Sequence, residues 1–222
     1  MMKYIIGNWK AHKNISEVDS WLAAFMSYDL SIVQKTHVIL CPSFPFVYTL
    51  KEKLKDVHNV SIGTQDVSAY PQGSNTGEVS AASLVGIADY TIIGHSERRH
   101  SFQEAYDTLQ KKVTQSQTSQ LKTIFCVRGP NDQIPENVEF VAYEPVQAIG
   151  TGQNAQVSDV IEMKSLLTLP ENTHYIYGGS VDSSNVHEYM THKEIDGVLP
   201  GKASLDPQEF YSLIQNAEKA IA

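Results

Sequence analysis

Eight short runs of β-favouring residues recur along the chain, and they constrain its fold more than any other feature. They are residues 3–8, 36–41, 59–64, 89–94, 122–127, 139–144, 174–179 and 196–201. Most of these runs are apolar on both faces, which is typical of parallel strands that are covered on both sides. Consecutive parallel strands need long, right-handed crossovers, and these are usually helices.

Helical patterns occupy several of the segments between these runs. Residues 16–28 predict a helix that begins with Ser16 as N-cap and has Asp19 three residues later. Residues 101–117 and 206–222 carry apolar side chains at helical spacing. The alternation predicts an α/β fold, and eight strands in 222 residues predict one compact (β/α)8 barrel domain over residues 1–222.

The segment between the fifth and sixth runs departs from this pattern. It reads RGPNDQIPENVE, which is residues 128–139, and it contains Pro130 and Pro135. Two prolines and a glycine leave little room for a helix. We therefore predict that the helix between strands 5 and 6 is missing or reduced to a loop.

The charge and cysteine content narrow the function classes. The formal net charge is −8, so nucleic acid and anionic membranes are poor partners for this chain. A small anion is still compatible with it, because a few backbone N–H groups and one lysine make a local positive site. No window approaches a membrane span, and Cys41 and Cys126 form no CxxC pair, so we expect a cytoplasmic protein.

Polar side chains at the carboxyl ends of the predicted strands are the candidates for chemistry, because catalytic groups of such barrels lie there. They are Asn8, Lys10, residues 95–99, Glu144, residues 178–180 and residues 201–202. The set provides one carboxylate base, one imidazole, one lysine cation and glycine-rich turns of the kind that bind phosphate. It fits proton abstraction next to a carbonyl in a small phosphorylated substrate.

Metal and nucleotide binding are weaker interpretations. His95 and His100 stand five residues apart, which does not place both on one helix face, and no cysteine pair completes a zinc site. GTGQNA (150–155) has the glycine spacing of a dinucleotide fingerprint, but six residues separate it from the strand. GVLPGK (197–202) lacks both the glycine spacing and the Ser/Thr of a P-loop. We predict no metal and no cofactor.

Five motifs carry a resemblance to a known family. They are GNWK (7–10), IIGHSERR (92–99), AYEPVQAIGTG (142–152), YGGSV (177–181) and DGVLPGKASL (196–205). Their identities and their order along the chain resemble the triosephosphate isomerase family. The resemblance implies a TIM barrel and a cofactor-independent isomerase of glycolysis and gluconeogenesis. Such an enzyme interconverts dihydroxyacetone phosphate and D-glyceraldehyde 3-phosphate.

The resemblance also implies residue roles. Glu144 would be the base, His95 the neutral electrophile and Lys10 the cation. Asn8 would be a hydrogen-bonding neighbour, with Ser96 and Glu97 as supporting groups, and phosphate would meet the backbone N–H groups of Gly150, Ser180, Gly201 and Lys202. These roles come from the family, which is itself a standard example of catalytic pKa tuning, and neither spacing nor composition assigns them.

The segment after Glu144 resembles the family's lid. Its residues are Pro145, Val146, Gln147, Ala148, Ile149, Gly150, Thr151 and Gly152. Pro145 biases Glu144 toward an extended conformation, and an apolar lid would exclude water from the reaction. The chain departs from the family at Gln147, where tryptophan is usual, and at Lys202, where a second glycine is frequent.

Residues 63–80 resemble the family's interface loop, so we predict a homodimer, with a tetramer as the alternative. The expected contacts are Gln65, Thr76, Glu78 and Arg98, with Glu78 pairing with Arg98 across the interface. The second hypothesis for function is a catalytically impaired phosphometabolite-binding protein on the same scaffold. An aldolase on this barrel is a third, but it would need a Schiff-base lysine at a strand end.

Overall fold

The computed structural model describes residues 2–145 and 154–221, and its centre is a closed parallel barrel. Each strand pairs with the next in chain order, and the last pairs with the first. The strands are β1 Lys3–Asn8, β2 Thr36–Cys41, β3 Val60–Thr64, β4 Tyr90–Ile93, β5 Lys122–Val127, β6 Phe140–Tyr143, β7 His174–Tyr177 and β8 Gly197–Val198. The predicted barrel is confirmed, although β7 and β8 end earlier than their apolar runs suggest.

Helices surround the barrel in the described part of the chain. They are α1 Ile15–Met26, α2 Val47–Leu54, α3 Ser96–Ser101, α4 Tyr106–Thr118, α5 Val157–Leu166, α6 Val186–Met190 and α7 Pro207–Ala220. The single helix predicted over 101–117 is wrong at its start, because two helices divide that region. Gln103 has a φ of 54°, a left-handed conformation that ends the helical path between them.

The start of α1 also corrects the sequence prediction. Asn14, not Ser16, is the N-cap, and its side chain accepts a hydrogen bond from the Glu17 backbone N–H at 3.1 Å. The Glu17 carboxylate accepts from the Asn14 N–H at 2.7 Å, which completes a capping box. Asn14 and Glu17 have the same three-residue spacing as Ser16 and Asp19, so the sequence does not distinguish the two pairs. The extended backbone of Asn14 identifies it as the N-cap.

The connection between β5 and β6 contains no helix, as predicted, and every residue from 128 to 139 is described. The Asp132 carboxylate accepts from the Arg128 backbone N–H at 2.7 Å and from its guanidinium at 2.7 and 3.0 Å. Ile134 packs against the outer apolar layer. An ion pair with a backbone anchor, the apolar contacts of Ile134 and Val138, and hydrogen bonds from Gln117 to the Glu136 and Asn137 carbonyls therefore fix this loop.

Alternation along the strands divides the apolar side chains into two layers. One cluster fills the barrel interior and includes Ile6, Ile92 and Ile176, whereas the larger cluster lies between strands and helices and includes Ile5 and Ile93. The barrel closes at β8 because Gly197 has no side chain. A Cβ there would lie 2.3 Å from the Tyr4 carbonyl oxygen, so only glycine allows β8 to pair with β1.

None of the helices in the described ranges is long and apolar enough to span a membrane.

Candidate active site

A cavity of about 620 Å³ opens at the carboxyl ends of the strands, which is the size expected for a small-molecule site. Asn8, Lys10, His95 and Glu144 line one side of it. The turns after β7 and β8 line the other side, through residues 178–182 and 201–203. The structure thus brings the polar groups that the sequence singled out on five different strands into one cavity.

Glu144 follows β6 directly, and its side chain is almost completely buried, with 1% exposed. Its backbone N–H donates to the Val127 carbonyl at 2.7 Å, which anchors it to the end of β5. One carboxylate oxygen accepts from the Ser96 N–H at 2.7 Å, and the other lies 2.8 Å from His95 Nε2. One oxygen is therefore hydrogen-bonded and the other lies against the imidazole, and these polar contacts offset the cost of burying the carboxylate.

The space around Glu144 is tightly defined by its neighbours. A Cβ on Gly178 would lie 3.0 Å from the Glu144 Cγ and 3.2 Å from the Tyr143 carbonyl oxygen.

On the barrel side, burial and the nearby Glu144 carboxylate raise the pKa of the Cys126 thiol well above its usual value. Cys126 therefore stays a neutral thiol beside Glu144.

The hydrogen bonds of His95 identify its tautomer. The Glu97 backbone N–H donates to His95 Nδ1 at 3.3 Å, so Nδ1 carries no proton. The proton of a neutral ring is then on Nε2, which faces the Glu144 carboxylate. The Glu97 carboxylate is 3.7 Å from Nδ1, too far for a hydrogen bond that would compete with this assignment. Nε2 lies 2.8 Å from the Glu144 carboxylate.

Lys10 has a φ of 52°, which is an unfavourable conformation for a lysine, and its neighbours hold it there. Its backbone N–H donates to the Asn8 side chain at 3.0 Å. Its carbonyl accepts from Ser43 Oγ at 2.9 Å and from Gln65 Nε2 at 2.8 Å. The Lys10 ammonium is bound to the Glu97 carboxylate. These bonds direct the lysine side chain to the cavity.

The glycines after β7 and β8 permit close packing at the other end of the cavity. A Cβ on Gly179 would lie 2.1 Å from the Tyr177 hydroxyl, which itself accepts from the Ala155 N–H at 2.8 Å. A Cβ on Gly201 would lie 3.3 Å from Lys10 Cε and 4.0 Å from its Nζ. The backbone of Gly201 therefore approaches the Lys10 ammonium closely.

Several cavity residues were not singled out from the sequence. They are Val181, Asp182, Asn185, Leu199, Ala203, Asp206 and Glu209. Asn185 orders the turn after β7, because its side chain donates to the Ser180 carbonyl at 3.2 Å and accepts from the Asp182 N–H at 3.0 Å. No residue pattern marks these positions, since they reach the cavity from the turns after β7 and β8 and from the starts of α6 and α7.

The predicted interface residues make contacts within the single chain. Gln65 Nε2 also donates to the Cys41 carbonyl at 2.9 Å. Arg98 lies 2.9 Å from the Asp66 carboxylate and 2.7 Å from that of Glu104. The Glu78 carboxylate accepts from Ser68 Oγ at 2.6 Å, and Thr76 is exposed. The pairing of Glu78 with Arg98 across an interface stays a prediction.

Most of the predicted lid, residues 146–152, lies outside the described residues, and only Pro145 of it is described. The predicted phosphate contact Gly150 falls in the same segment. Across the residues that are described, no three His, Cys, Asp or Glu side chains are grouped as a metal site would require.

The protein is a (β/α)8 barrel with a buried carboxylate, an imidazole and a lysine in a cavity at the carboxyl ends of its strands, the arrangement of a barrel enzyme. Known proteins then specify the family. A family model described as triosephosphate isomerase matches residues 3–217. A triosephosphate isomerase of Dictyoglomus thermophilum is 33% identical, over 96% of this chain and 99% of the relative. That of Mesomycoplasma hyopneumoniae is 34% identical, over 98% of this chain and 100% of the relative. That of Synechocystis sp. is 35% identical, over 96% of this chain and 98% of the relative.

The chain belongs to the triosephosphate isomerase family. It is therefore an enzyme of the isomerase class, as the motifs predicted.

Proposed function

We propose that this chain interconverts dihydroxyacetone phosphate and D-glyceraldehyde 3-phosphate by proton transfer through an enediol(ate). Glu144 is the base and a neutral His95 is the electrophile. The observation that carries the proposal is the 2.8 Å contact between His95 Nε2 and the Glu144 carboxylate inside the cavity. A proton acceptor and a proton donor that meet at such a distance can act on neighbouring atoms of one small substrate.

The proposed reaction moves only protons. The Glu144 carboxylate removes a proton from the carbon next to the carbonyl, and the His95 Nε2–H donates a hydrogen bond to the oxygen on which negative charge develops. The Lys10 ammonium stabilises that charge. Glu144 then returns a proton to the adjacent carbon, while His95 Nε2 passes the hydroxyl proton of the enediolate from one oxygen to the other, and the carbonyl has moved by one position. Substrate and product are isomers with no net oxidation, so the reaction balances without a cofactor.

The conformation of Glu144 supports a two-position role for its side chain. Its carboxylate is bound to the Ser96 N–H at 2.7 Å and to His95. A substrate that enters between base and electrophile must take over the contact with His95. We propose that the carboxylate leaves the Ser96 N–H at that step and approaches the substrate carbon.

The other end of the cavity is proposed to bind the phosphate. The backbone N–H groups of Ser180, Gly201 and Lys202 would be its donors, together with Gly150 from the segment that is not described. The close approach of Gly201 to the Lys10 ammonium supports this, because one anion can then contact both. Glu97 would keep Lys10 in place through their ion pair.

We also propose that residues 1–222 form one domain and that two copies associate. Exposed aromatic side chains support an interface on the side of the barrel formed by β2, β3 and β4. Phe44 and Tyr48 follow β2, Tyr70 follows β3 and Phe102 follows β4, with exposures of 36, 60, 54 and 67%. A homodimer would bury them, and a tetramer is the alternative. The free, buried thiols of Cys41 and Cys126 fit a cytoplasmic location.

The test of the proposed function is the turnover of D-glyceraldehyde 3-phosphate in a coupled assay, over a range of protein concentrations. We expect turnover at rates typical of enzymes, with none from a buffer blank. A folded protein that binds phosphorylated ligands but turns nothing over at any concentration would contradict the proposal. That result would favour the impaired binding protein, with which the short β5–β6 connection is compatible.

A further inference from the structure

The charge balance of the cavity is unusual for a site that is proposed to bind a phosphate dianion. Two cations and four carboxylates line it, namely Lys10, Lys202, Glu144, Asp182, Asp206 and Glu209. Three of the carboxylates come from the turn after β7 and the start of α7, the same side as the proposed phosphate donors. Like charges repel, so this acidic rim opposes the binding of an anion.

The rim carboxylates are held by local hydrogen bonds that do not involve a cation. The Asp206 carboxylate accepts from the Glu209 N–H at 2.8 Å. The Glu209 carboxylate accepts from the Ser183 N–H at 2.8 Å and from its hydroxyl at 3.0 Å. Asp182 accepts from the Ser184 N–H at 2.9 Å. None of these hydrogen bonds brings a positive charge to the rim.

The two lysines differ in whether their ammonium groups have a partner among the described residues. The Lys10 ammonium is bound by the Glu97 carboxylate, which neutralises much of its charge. The Lys202 side chain is exposed, and it has neither a hydrogen bond nor an ion pair with any residue that the structure describes. It directly follows Gly201, whose backbone lies beside the Lys10 ammonium. Lys202 is thus a cation with no partner among the described residues, at the end of the cavity that is proposed to bind phosphate.

We propose that the Lys202 ammonium is a second cation for the substrate's phosphate dianion and compensates for the acidic rim. This inference rests on the proposed function and concerns the same site, but it assigns a role to the side chain rather than to the backbone N–H. A lysine ammonium on a flexible stem binds phosphate as a point charge. Without Lys202, one partly neutralised cation would face four carboxylates.

The expected size of the effect is moderate, because the side chain is exposed and water screens it. An exposed ion pair is a weak interaction, and the double charge of the phosphate roughly doubles the Coulomb term. Loss of the ammonium should therefore weaken phosphate binding roughly three- to tenfold. Because added salt screens exposed charges, the difference should shrink as ionic strength rises.

The test measures binding of inorganic phosphate by titration calorimetry, which needs no turnover. The variants are Lys202→Gln, which removes the charge at similar length, and Lys202→Arg, which keeps it. The matched control is Lys193→Gln, which removes the same charge from an exposed lysine before β8, at the opposite end of the barrel. We expect roughly three- to tenfold weaker binding for Lys202→Gln only, and the difference should shrink to about twofold or less in roughly 0.5 M salt.

A parallel assay connects the inference to the substrate. The KM for D-glyceraldehyde 3-phosphate should rise in Lys202→Gln and recover in Lys202→Arg. Equal phosphate affinities for the wild type, Lys202→Gln and Lys193→Gln would overturn the inference, as would a wild type that binds no phosphate. A wild type that binds phosphate through Lys202 but turns over no triose phosphate would overturn the proposed function and leave the role of Lys202 in anion binding intact.

Discussion

At the scale of single residues, the buried carboxylate of Glu144 is the most demanding feature of the molecule. Only 1% of its side chain is exposed, and the carboxylate is held by a hydrogen bond from the Ser96 N–H and by His95 Nε2 at 2.8 Å. The same two contacts would suit the proposed base, because they hold the carboxylate beside the imidazole. The Glu97 N–H donates to His95 Nδ1, which agrees with the neutral electrophile proposed for His95.

Replacing Glu144 with glutamine tests this pairing. Glu144→Gln keeps the shape but removes the proton acceptor, so kcat should fall by roughly three powers of ten. Binding of a phosphorylated inhibitor should change by less than about threefold, because its phosphate is proposed to bind at the far end of the cavity. The control is Glu136→Gln, which changes an exposed carboxylate in the β5–β6 loop. Turnover retained in Glu144→Gln would show that another group is the base.

At the scale of elements, the loop from 128 to 139 replaces a helix with an ion pair. Burial alone would raise the pKa of the Asp132 carboxyl, but hydrogen bonds from the Arg128 guanidinium and backbone N–H bring it below its usual value. The loop begins immediately after Val127, whose carbonyl accepts the Glu144 N–H. The ion pair thus fixes the segment that anchors Glu144, the proposed base.

We predict that Asp132→Asn destabilises the protein by about 1–2 kcal/mol at neutral pH, from lost charge-assisted hydrogen bonds. Because the folded-state pKa of Asp132 is lowered, its stabilising contribution is present above the unfolded pKa near 4 and is lost as pH falls through the folded value. Denaturant unfolding at pH 7 and near pH 3 measures the difference. Glu136→Gln is again the control, and a difference that does not shrink in acid would contradict this account.

The capping box of α1 allows a direct test of which residue begins that helix. Asn14→Ala should cost about 1 kcal/mol of unfolding free energy, since the Glu17 N–H loses its acceptor. Ser16→Ala removes only a side-chain hydrogen bond to Asn14 and should cost a few tenths of a kcal/mol. Urea unfolding of both variants measures the two losses of unfolding free energy. A larger loss of unfolding free energy for Ser16→Ala than for Asn14→Ala would indicate that Ser16 is the N-cap, as the sequence suggested.

The strands and helices also show how much of the structure could be predicted from the sequence. Short β-favouring runs, most of them apolar on both faces, predicted all eight strands, and two prolines predicted the missing helix, because both depend on local chemistry. The division between α3 and α4 was missed, since it depends on the left-handed backbone of Gln103. The acidic rim was missed because Asp182, Asp206 and Glu209 meet only after the barrel closes. Family motifs, and not spacing alone, assigned roles to Glu144 and His95.

At the scale of the whole molecule, assembly and activity are proposed to be linked through residues 63–80. This segment follows β3 and lies on the side of the barrel with the exposed aromatic residues. Gln65 at its start supports the strained backbone of Lys10 by a 2.8 Å hydrogen bond. An interface that fixes this segment would therefore also stabilise the position of the lysine.

Thr76→Arg tests the link between assembly and activity. A bulky charge at this exposed position should weaken a homodimer and lower the sedimentation mass toward that of one chain. Specific activity should then fall on dilution at higher protein concentrations than in the wild type. Gln133→Arg adds the same charge to the β5–β6 loop and is the matched control. A wild type that sediments as a fully active monomer would contradict the proposed dimer.

The most direct measurement of the central claim is the conversion of D-glyceraldehyde 3-phosphate in D₂O, followed by proton NMR. If Glu144 carries the proton through an enediol(ate), the carboxyl group exchanges with solvent during the reaction, and part of the dihydroxyacetone phosphate formed carries deuterium at C1. The account predicts this labelled product with the wild type and its loss, together with turnover, in Glu144→Gln. Product that forms rapidly without any deuterium would indicate a direct hydride shift and would contradict the proton transfer proposed for Glu144.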